Sequence, residues 1–166
     1  DLPYVNTFIV FFRLDGGLIA EEWWELDFLG VLEQVGQLPA TRSVYSWNAP
    51  SLASGAAGVT HLNRRLARLS VQAVNSHNLA LSRSLLSPEF RNHDVVAPYA
   101  ADRSGYLSFL RDVMFVAFPD LHMTVEAEVA VGDRGALRCA VTATHQGHFG
   151  PLPQTGRPVR WTARAR

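Results

Sequence analysis

A segment that combines acidic residues with tryptophan offers the first candidate for chemistry. If residues 18–26 form a strand, side chains alternate between its faces, with Glu21, Trp23, Glu25 and Asp27 on one face and Glu22, Trp24 and Leu26 on the other. A carboxylate that lies in an apolar pocket has a pKa raised toward neutrality, so it can accept and return a proton. If Asp27 faces such a pocket, Trp23 offers a flat wall there and Glu25 a second carboxylate; otherwise Trp23 belongs to the core and Glu25 to a solvated rim. The alternative for Asp27 is an N-cap, because Asp often precedes an apolar helical run such as residues 28–35.

Three histidines form a second set of candidates. His93 could polarise a carbonyl group or hold Asp27 in place, and a structural role is the alternative. His145 and His148 flank a predicted turn, and we interpret His145 as mostly structural and His148 as a residue at a pocket mouth. The spacing of the three histidines matches no common zinc site, so the sequence predicts no metal.

Local patterns predict the elements that position these side chains. Strands are predicted where β-branched and aromatic residues alternate, and helices where apolar residues recur at helical spacing. Asp15-Gly16-Gly17 predicts a tight hairpin turn, and Ser104 is the predicted N-cap of a helix that ends before Pro119. The predicted strands are 6–13, 18–26, 90–96, 122–131, 136–145 and 158–165, and the other predicted helices are 28–35, 62–77 and 81–86. Helices followed by antiparallel strands predict an α+β domain in which a curved sheet and its helices enclose a cavity.

The composition of the chain argues against nucleic acid and membranes as partners. The chain has 15 basic and 15 acidic residues, a formal net charge of +0, and only 18% charged residues. It therefore lacks the positive field that would attract nucleic acid or an anionic membrane. No run approaches the roughly 18 apolar residues of a membrane span, and the N-terminus does not resemble a signal peptide, so we expect a cytoplasmic protein. Cys139, the single cysteine, is expected to be a small buried hydrophobe.

Five short motifs in the later part of the chain resemble one known family. They are Asn75–Asn78 (NSHN), Phe90–Asp94 (FRNHD), Ala117–Leu121 (AFPDL), Thr144–Phe149 (THQGHF) and Leu152–Arg157 (LPQTGR). The combination is similar to the signature of SnoaL-like polyketide cyclases, which belong to the nuclear transport factor 2-like superfamily. The resemblance implies a cone-shaped fold, a curved antiparallel sheet packed on helices.

The order of the motifs is unusual. Residues 17–36 (GLIAEEWWELDFLGVLEQVG) are similar to the motif that closes the family's sequences, and here they stand at the front. We therefore expect residues 1–36 to be a strand hairpin and short helix that complete the fold, 37–59 to be a linker, and 60–166 to supply the rest of the domain. The hairpin either packs on its own chain, as in a circular permutant, or completes a neighbouring copy or an upstream domain.

The resemblance implies an activity and a set of residues. The family's cyclases close a ring of a polyketide-like molecule in antibiotic biosynthesis by an aldol step that needs neither metal nor cofactor. By motif position Asp27 is the implied acid/base, with His93 in support; the substrate-binding candidates are Trp23, Glu25, Asp94, Phe118, Arg138, His145 and His148. The resemblance also implies a homodimer. Two alternatives remain open: a non-catalytic binding module, and an epoxide hydrolase, although Ala140 replaces the Asp that such enzymes carry two residues after the equivalent of Arg138.

Overall fold

The computed structural model describes residues 8–26, 32–37, 57–94 and 97–161. Its strands are β1 (Phe8–Asp15), β2 (Leu18–Leu26), β3 (Leu86–Asn92), β4 (His122–Val131), β5 (Arg134–Thr144) and β6 (Pro158–Trp161). Its helices are α1 (Ala57–Asn75), α2 (Leu79–Leu85), α3 (Arg103–Phe109), a π-helical segment (Leu110–Met114) and α4 (Phe115–Ala117), and a further helical turn covers residues 32–34. None of the described helices is long and apolar enough to cross a membrane.

The strands form one sheet in the order β3-β2-β1-β5-β4, and β6 also pairs with β5. Helices on one side of this curved sheet give the predicted α+β class. The expectation of a purely antiparallel sheet is wrong, because β2 and β3 pair in parallel. A parallel pair needs a long crossover between its strands, and the chain between β2 and β3 contains both α1 and α2. Pro88 is tolerated in β3 because this strand lies at the edge of the sheet.

The predicted front hairpin is confirmed. Gly16 and Gly17 adopt φ of 55° and 80°, the positive values that a tight hairpin turn requires, and β1 and β2 pair along their length. The hairpin is built into its own chain, since β1 also pairs with β5 and β2 with β3. The turn that follows joins the same body, where the side-chain oxygen of Gln34 accepts a hydrogen bond from the Arg160 N–H at 2.7 Å.

Two separate strands cover the same edge of β5. Residues Ile9–Arg13 of β1 pair with residues 134–138, and β6 pairs with Val141–Thr144. Both strands are antiparallel to β5 and therefore run in the same direction, with the end of β6 pointing toward the start of β1. The two strands lie end to end along β5, like consecutive pieces of one longer strand.

The core lies between the helices and the inner face of the sheet. Strand β1 contributes Val10, Phe12 and Leu14, strand β5 contributes Leu137, Cys139 and Val141, and all six are buried. The prediction for Cys139 is confirmed, and burial raises the pKa of its thiol to about 12.

Helix α3 begins two residues earlier than predicted, because Asp102 rather than Ser104 accepts the capping hydrogen bond from the Gly105 N–H at 2.8 Å.

Asn75 ties helix α1 to the sheet. Its side chain donates to the Met123 carbonyl at 2.9 Å and accepts from the Met123 N–H at 2.7 Å. Asn75→Ala would leave both partly buried backbone groups unpaired, so we expect a loss of about 1–3 kcal/mol in the free energy of unfolding. Urea denaturation measures the change, and Gln72→Ala, an exposed position on the same helix, is the control. Equal stability of the two variants would contradict this role.

Candidate functional site

The two faces of β2 differ in burial and in chemistry. Glu22 is opposite Phe12 in the register, is 4% exposed and faces the helices. Trp23 is opposite Phe11, which is 44% exposed on the other face of the sheet. Trp24 packs against the core. Alternation therefore grouped these residues correctly, and the burial pattern of β1 shows that the face with Glu22 and Trp24 is the inner one.

Glu22 is a buried acid among aromatic side chains. Burial is the main cause that raises the pKa of its carboxyl group to about 8, and nearby Asp94 adds to the increase. Hydrogen bonding by Trp24 and Tyr106 acts to lower the pKa of Glu22, but the effect of burial is larger. Tyr106, on α3, is 7% exposed, and burial followed by the proximity of Glu22 raises the pKa of its phenol well above the usual value. Glu22 is thus a group that can hold or release a proton near neutral pH.

The segment after β3 is fastened to β2 beside this acid. The backbone N–H of His93 donates to the backbone carbonyl of Glu22 at 3.0 Å. The Asp94 carboxylate accepts a short hydrogen bond from the backbone N–H of Trp24. Asp94 is itself held by a 3.0 Å hydrogen bond from its N–H to the side-chain oxygen of Asn92. These contacts fix His93 and Asp94 next to the tryptophans of β2.

An ionic cluster lies on the outer face of the same strands. Glu21 accepts from Arg13 Nε at 2.6 Å and lies 2.7 Å from His93 Nε2. The Arg13 hydrogen bond, and then that of His93, lower the pKa of Glu21. The His93 ring also stacks on Trp23, with 4.4 Å between ring centroids and 8° between planes. The carboxylate that orients His93 in the described structure is Glu21; Asp27, the partner suggested from sequence, lies outside the described residues.

An open depression of about 380 Å³ adjoins these groups. Most of its wall is aromatic, and it carries one cation and one carboxylate; the lining residues are Phe11, Phe12, Trp23, Trp24, Asp94, Arg134 and Gly135. Its volume suits a small organic molecule. Two residues proposed from sequence to bind substrate, Trp23 and Asp94, are brought together here.

The other sequence-based candidates lie elsewhere. Phe118 is 1% exposed and its ring contacts His145 and Phe149, with centroids 5.5 and 5.3 Å apart. His145 is fully buried with Nδ1 3.1 Å from the Thr155 hydroxyl, and burial lowers its pKa. His148 is exposed in a loop. Phe118 and His145 therefore form part of the core in this structure.

For two further candidates, Arg138 and Glu25, the structure gives no contact with the depression. Arg138 faces outward and forms an ion pair with Glu126, with Nε and Oε2 3.3 Å apart. The side chain of Glu25 lies outside the described residues, although its backbone belongs to β2. Their proposed contacts with substrate stay predictions.

Sequence reasoning missed Glu22 and Tyr106. One signal was available: Glu22 shares its strand face with Ala20, Trp24 and Leu26, so it is the acid in an otherwise apolar alternating series. Tyr106 gave a weaker signal, because its position in a helix does not reveal that its phenol meets a carboxyl group from a strand 84 residues earlier.

Comparison with solved structures finds proteins of similar fold. AclR of Streptomyces galilaeus, described as a candidate hydroxylase, is 30% identical with a TM-score of 0.52 over 61% of this chain and 63% of its own length. The chain thus spans less than two thirds of AclR. IdmH of Streptomyces antibioticus, described as a candidate polyketide cyclase, is 30% identical with a TM-score of 0.50 over 58% of this chain and 75% of its own.

A third structure supports the fold alone. It is a candidate SnoaL-like polyketide cyclase from Jannaschia sp. CCS1, 20% identical, with a TM-score of 0.55 over 65% of this chain and 76% of its own. Among curated proteins, none matches the sequence. The family model for SnoaL-like polyketide cyclases matches residues 64–165, well over half of the chain. Together with the curved α+β sheet, this match shows that the chain belongs to the SnoaL-like polyketide cyclase family.

Proposed function

We propose that the protein is a cofactor-free cyclase or isomerase that acts on a polyketide-like molecule by acid/base chemistry. The observation that carries the proposal is the aromatic depression that Asp94 lines and His93 flanks through its stacking on Trp23. An apolar ligand surface with acidic and basic side chains at its edge suits proton transfer to and from carbon. The aromatic walls formed by Trp23 and Trp24 suit a conjugated or flat substrate.

The proposed reaction is an intramolecular aldol addition. A carboxylate takes a proton from a carbon that lies between two carbonyl groups, and the resulting enolate carbon bonds to a carbonyl carbon of the same molecule. The carbonyl π bond breaks, and the new alkoxide takes the proton back from the carboxylic acid. From the family motif we assign this exchange to Asp27, with His93 assisting at the carbonyl oxygen. What supports His93 is its position beside Trp23 and Asp94, which line the depression.

We also propose that the chain is a circular permutant of its family's usual order. In that order the segment corresponding to β6 would run directly into the segment corresponding to β1. The end-to-end placement of these strands along β5 supports this. A second support is that the family match begins at residue 64 and leaves out the hairpin that resembles the family's closing motif.

The proposed assembly is a homodimer in the cytoplasm, formed through the outer face of the sheet. Val131, which is 52% exposed, gives this face apolar surface that a second copy could cover. The hairpin packs on its own chain in the structure, so the proposed dimer needs no exchange of strands. Light scattering measures the mass in solution.

The function is tested with a linear poly-β-carbonyl ester that carries a terminal ketone. In ordinary water, a cyclase produces an isomer of unchanged mass, or that isomer less one water. An epoxide hydrolase, tested with an apolar epoxide in water enriched in ¹⁸O, would instead add one labelled water. Binding of the ester without any enzyme-dependent product would contradict the cyclase proposal and favour the binding module.

A further inference from the structure

Glu22 is connected to two residues that line the depression, although it does not line the depression itself. It shares the inner face of β2 with Trp24, two residues along the strand, and it lies close enough to Asp94 for their charges to interact. Trp24 and Asp94 are in turn joined to each other through the Trp24 N–H. Glu22 therefore lies outside the proposed substrate site but next to Trp24 and Asp94, which line it.

We propose that Glu22 is a positioning residue that works as an uncharged carboxylic acid, holding Trp24 and Asp94 in place, and that its ionisation displaces both. The inference rests on the proposed function in one respect: the depression is taken to be the substrate site. It deepens that function by assigning control of the site's shape to Glu22, a residue to which the family resemblance gave no role.

The surroundings of Glu22 favour its neutral form. Its Oε2 atom is buried and has no hydrogen-bond partner among the described residues. Among the described residues, the titratable groups that act on it are Tyr106 from α3 and Asp94 from the segment after β3, and neither brings a positive charge. The opposing residue on β1 is Phe12. Of the basic residues near Glu22 in sequence or register, Arg13 and His93 are paired with Glu21 on the opposite face of the sheet, and Arg91, which is opposite Glu21 on β3, is exposed.

Ionisation of Glu22 would have a defined local effect. A second negative charge would then face Asp94, and repulsion would weaken the hydrogen bond that Asp94 accepts from Trp24. The Trp24 side chain would lose a neutral partner and gain a charged one. Because the pKa of Glu22 is raised to about 8, mainly by burial, this change falls in mildly alkaline solution.

Assigned ¹⁵N–¹H NMR signals test the proposal without any substrate. In the unmodified protein, the backbone and indole N–H signals of Trp24 and the amide signal of Asp94 are expected to move together between pH 6 and pH 10 with one midpoint near 8. Glu22→Gln keeps the shape of the neutral acid but cannot ionise, so these movements should disappear. Glu21→Gln, the same change on the opposite face, should leave them in place.

Tyr106→Phe gives a second test that does not depend on the folding of the Glu22 variant. The Tyr106 hydrogen bond acts to lower the pKa of Glu22, so its removal should move the midpoint upward. Static Trp24 signals in the unmodified protein, an unchanged titration in Glu22→Gln, or an unmoved midpoint in Tyr106→Phe would each overturn the proposal. These NMR outcomes are independent of product formation, so failure of the cyclase assay alone would not affect the inference.

Discussion

Replacing Asp27 with Asn is expected to reduce turnover of the cyclising ester at least 100-fold while leaving the fold intact. Positioned general acid–base groups contribute about 10²–10⁴-fold to enzymatic rates, and an amide can neither take up nor return the proton. Steady-state rates at pH 7 measure the loss. A lowered turnover with unchanged affinity for the ester would place the effect on the chemical step.

Asp133→Asn is the matched control for this prediction. Asp133 lies exposed in the turn between β4 and β5, so the same loss of charge there should leave the rate unchanged. Circular dichroism of both variants checks the fold. If Asp27→Asn retained most of the activity, the assignment of Asp27 would be wrong and Glu22 would become the leading candidate for the acid/base.

Replacing Glu22 with Gln is expected to stabilise the protein and to flatten the dependence of its stability on pH. The folded protein holds a proton on Glu22 up to about pH 8, whereas the unfolded chain releases it near the ordinary value of 4.5. Between these values the folded state binds more protons, so unmodified protein loses stability as pH rises through this window. Each pH unit corresponds to about 1.4 kcal/mol, which gives a loss of about 3 kcal/mol between pH 5 and pH 7.5.

Urea denaturation at pH 5, 6, 7 and 7.5 measures this loss, which Glu22→Gln should remove. Glu21→Gln is the control, because it makes the same change one residue away on the outer face. The pKa of Glu21 is lowered, so its carboxylate is charged throughout this range and its replacement should not remove the alkaline loss. A stability that still falls by about 3 kcal/mol in Glu22→Gln would show that another group binds the proton.

Local signals explain what the sequence predicted well. Strand β4 has the predicted bounds, 122–131, because alternation and the turn at Gly132 mark its course and its end. Strand β2 was likewise predicted at 18–26 from alternation after two glycines. Such patterns depend only on residues next to one another in the chain, so they can be recognised without the tertiary structure.

Contacts between distant residues explain what the sequence did not predict. Asp102 and Ser104 are both good N-caps, and the tight packing of Gly105 against the Ala100 backbone accompanies the start of α3 after Asp102. Alternation likewise told which residues of β2 share a face, but pairing with β1 and packing by α3 decided that Glu22 faces inward. The chemistry of the candidate site was missed for this reason.

The arrangement of β1 and β6 has a practical consequence for protein engineering. Their facing ends, Ile9 and Trp161, are opposite Arg138 and Val141, which are three positions apart on β5. At about 3.3 Å per residue, the gap measures about 10 Å. Replacing residues 1–8 and 162–166 with a peptide bridge of about two residues would therefore close the polypeptide into a ring, and opening that ring between residues 37 and 57 would give one uninterrupted strand where the sheet now has two.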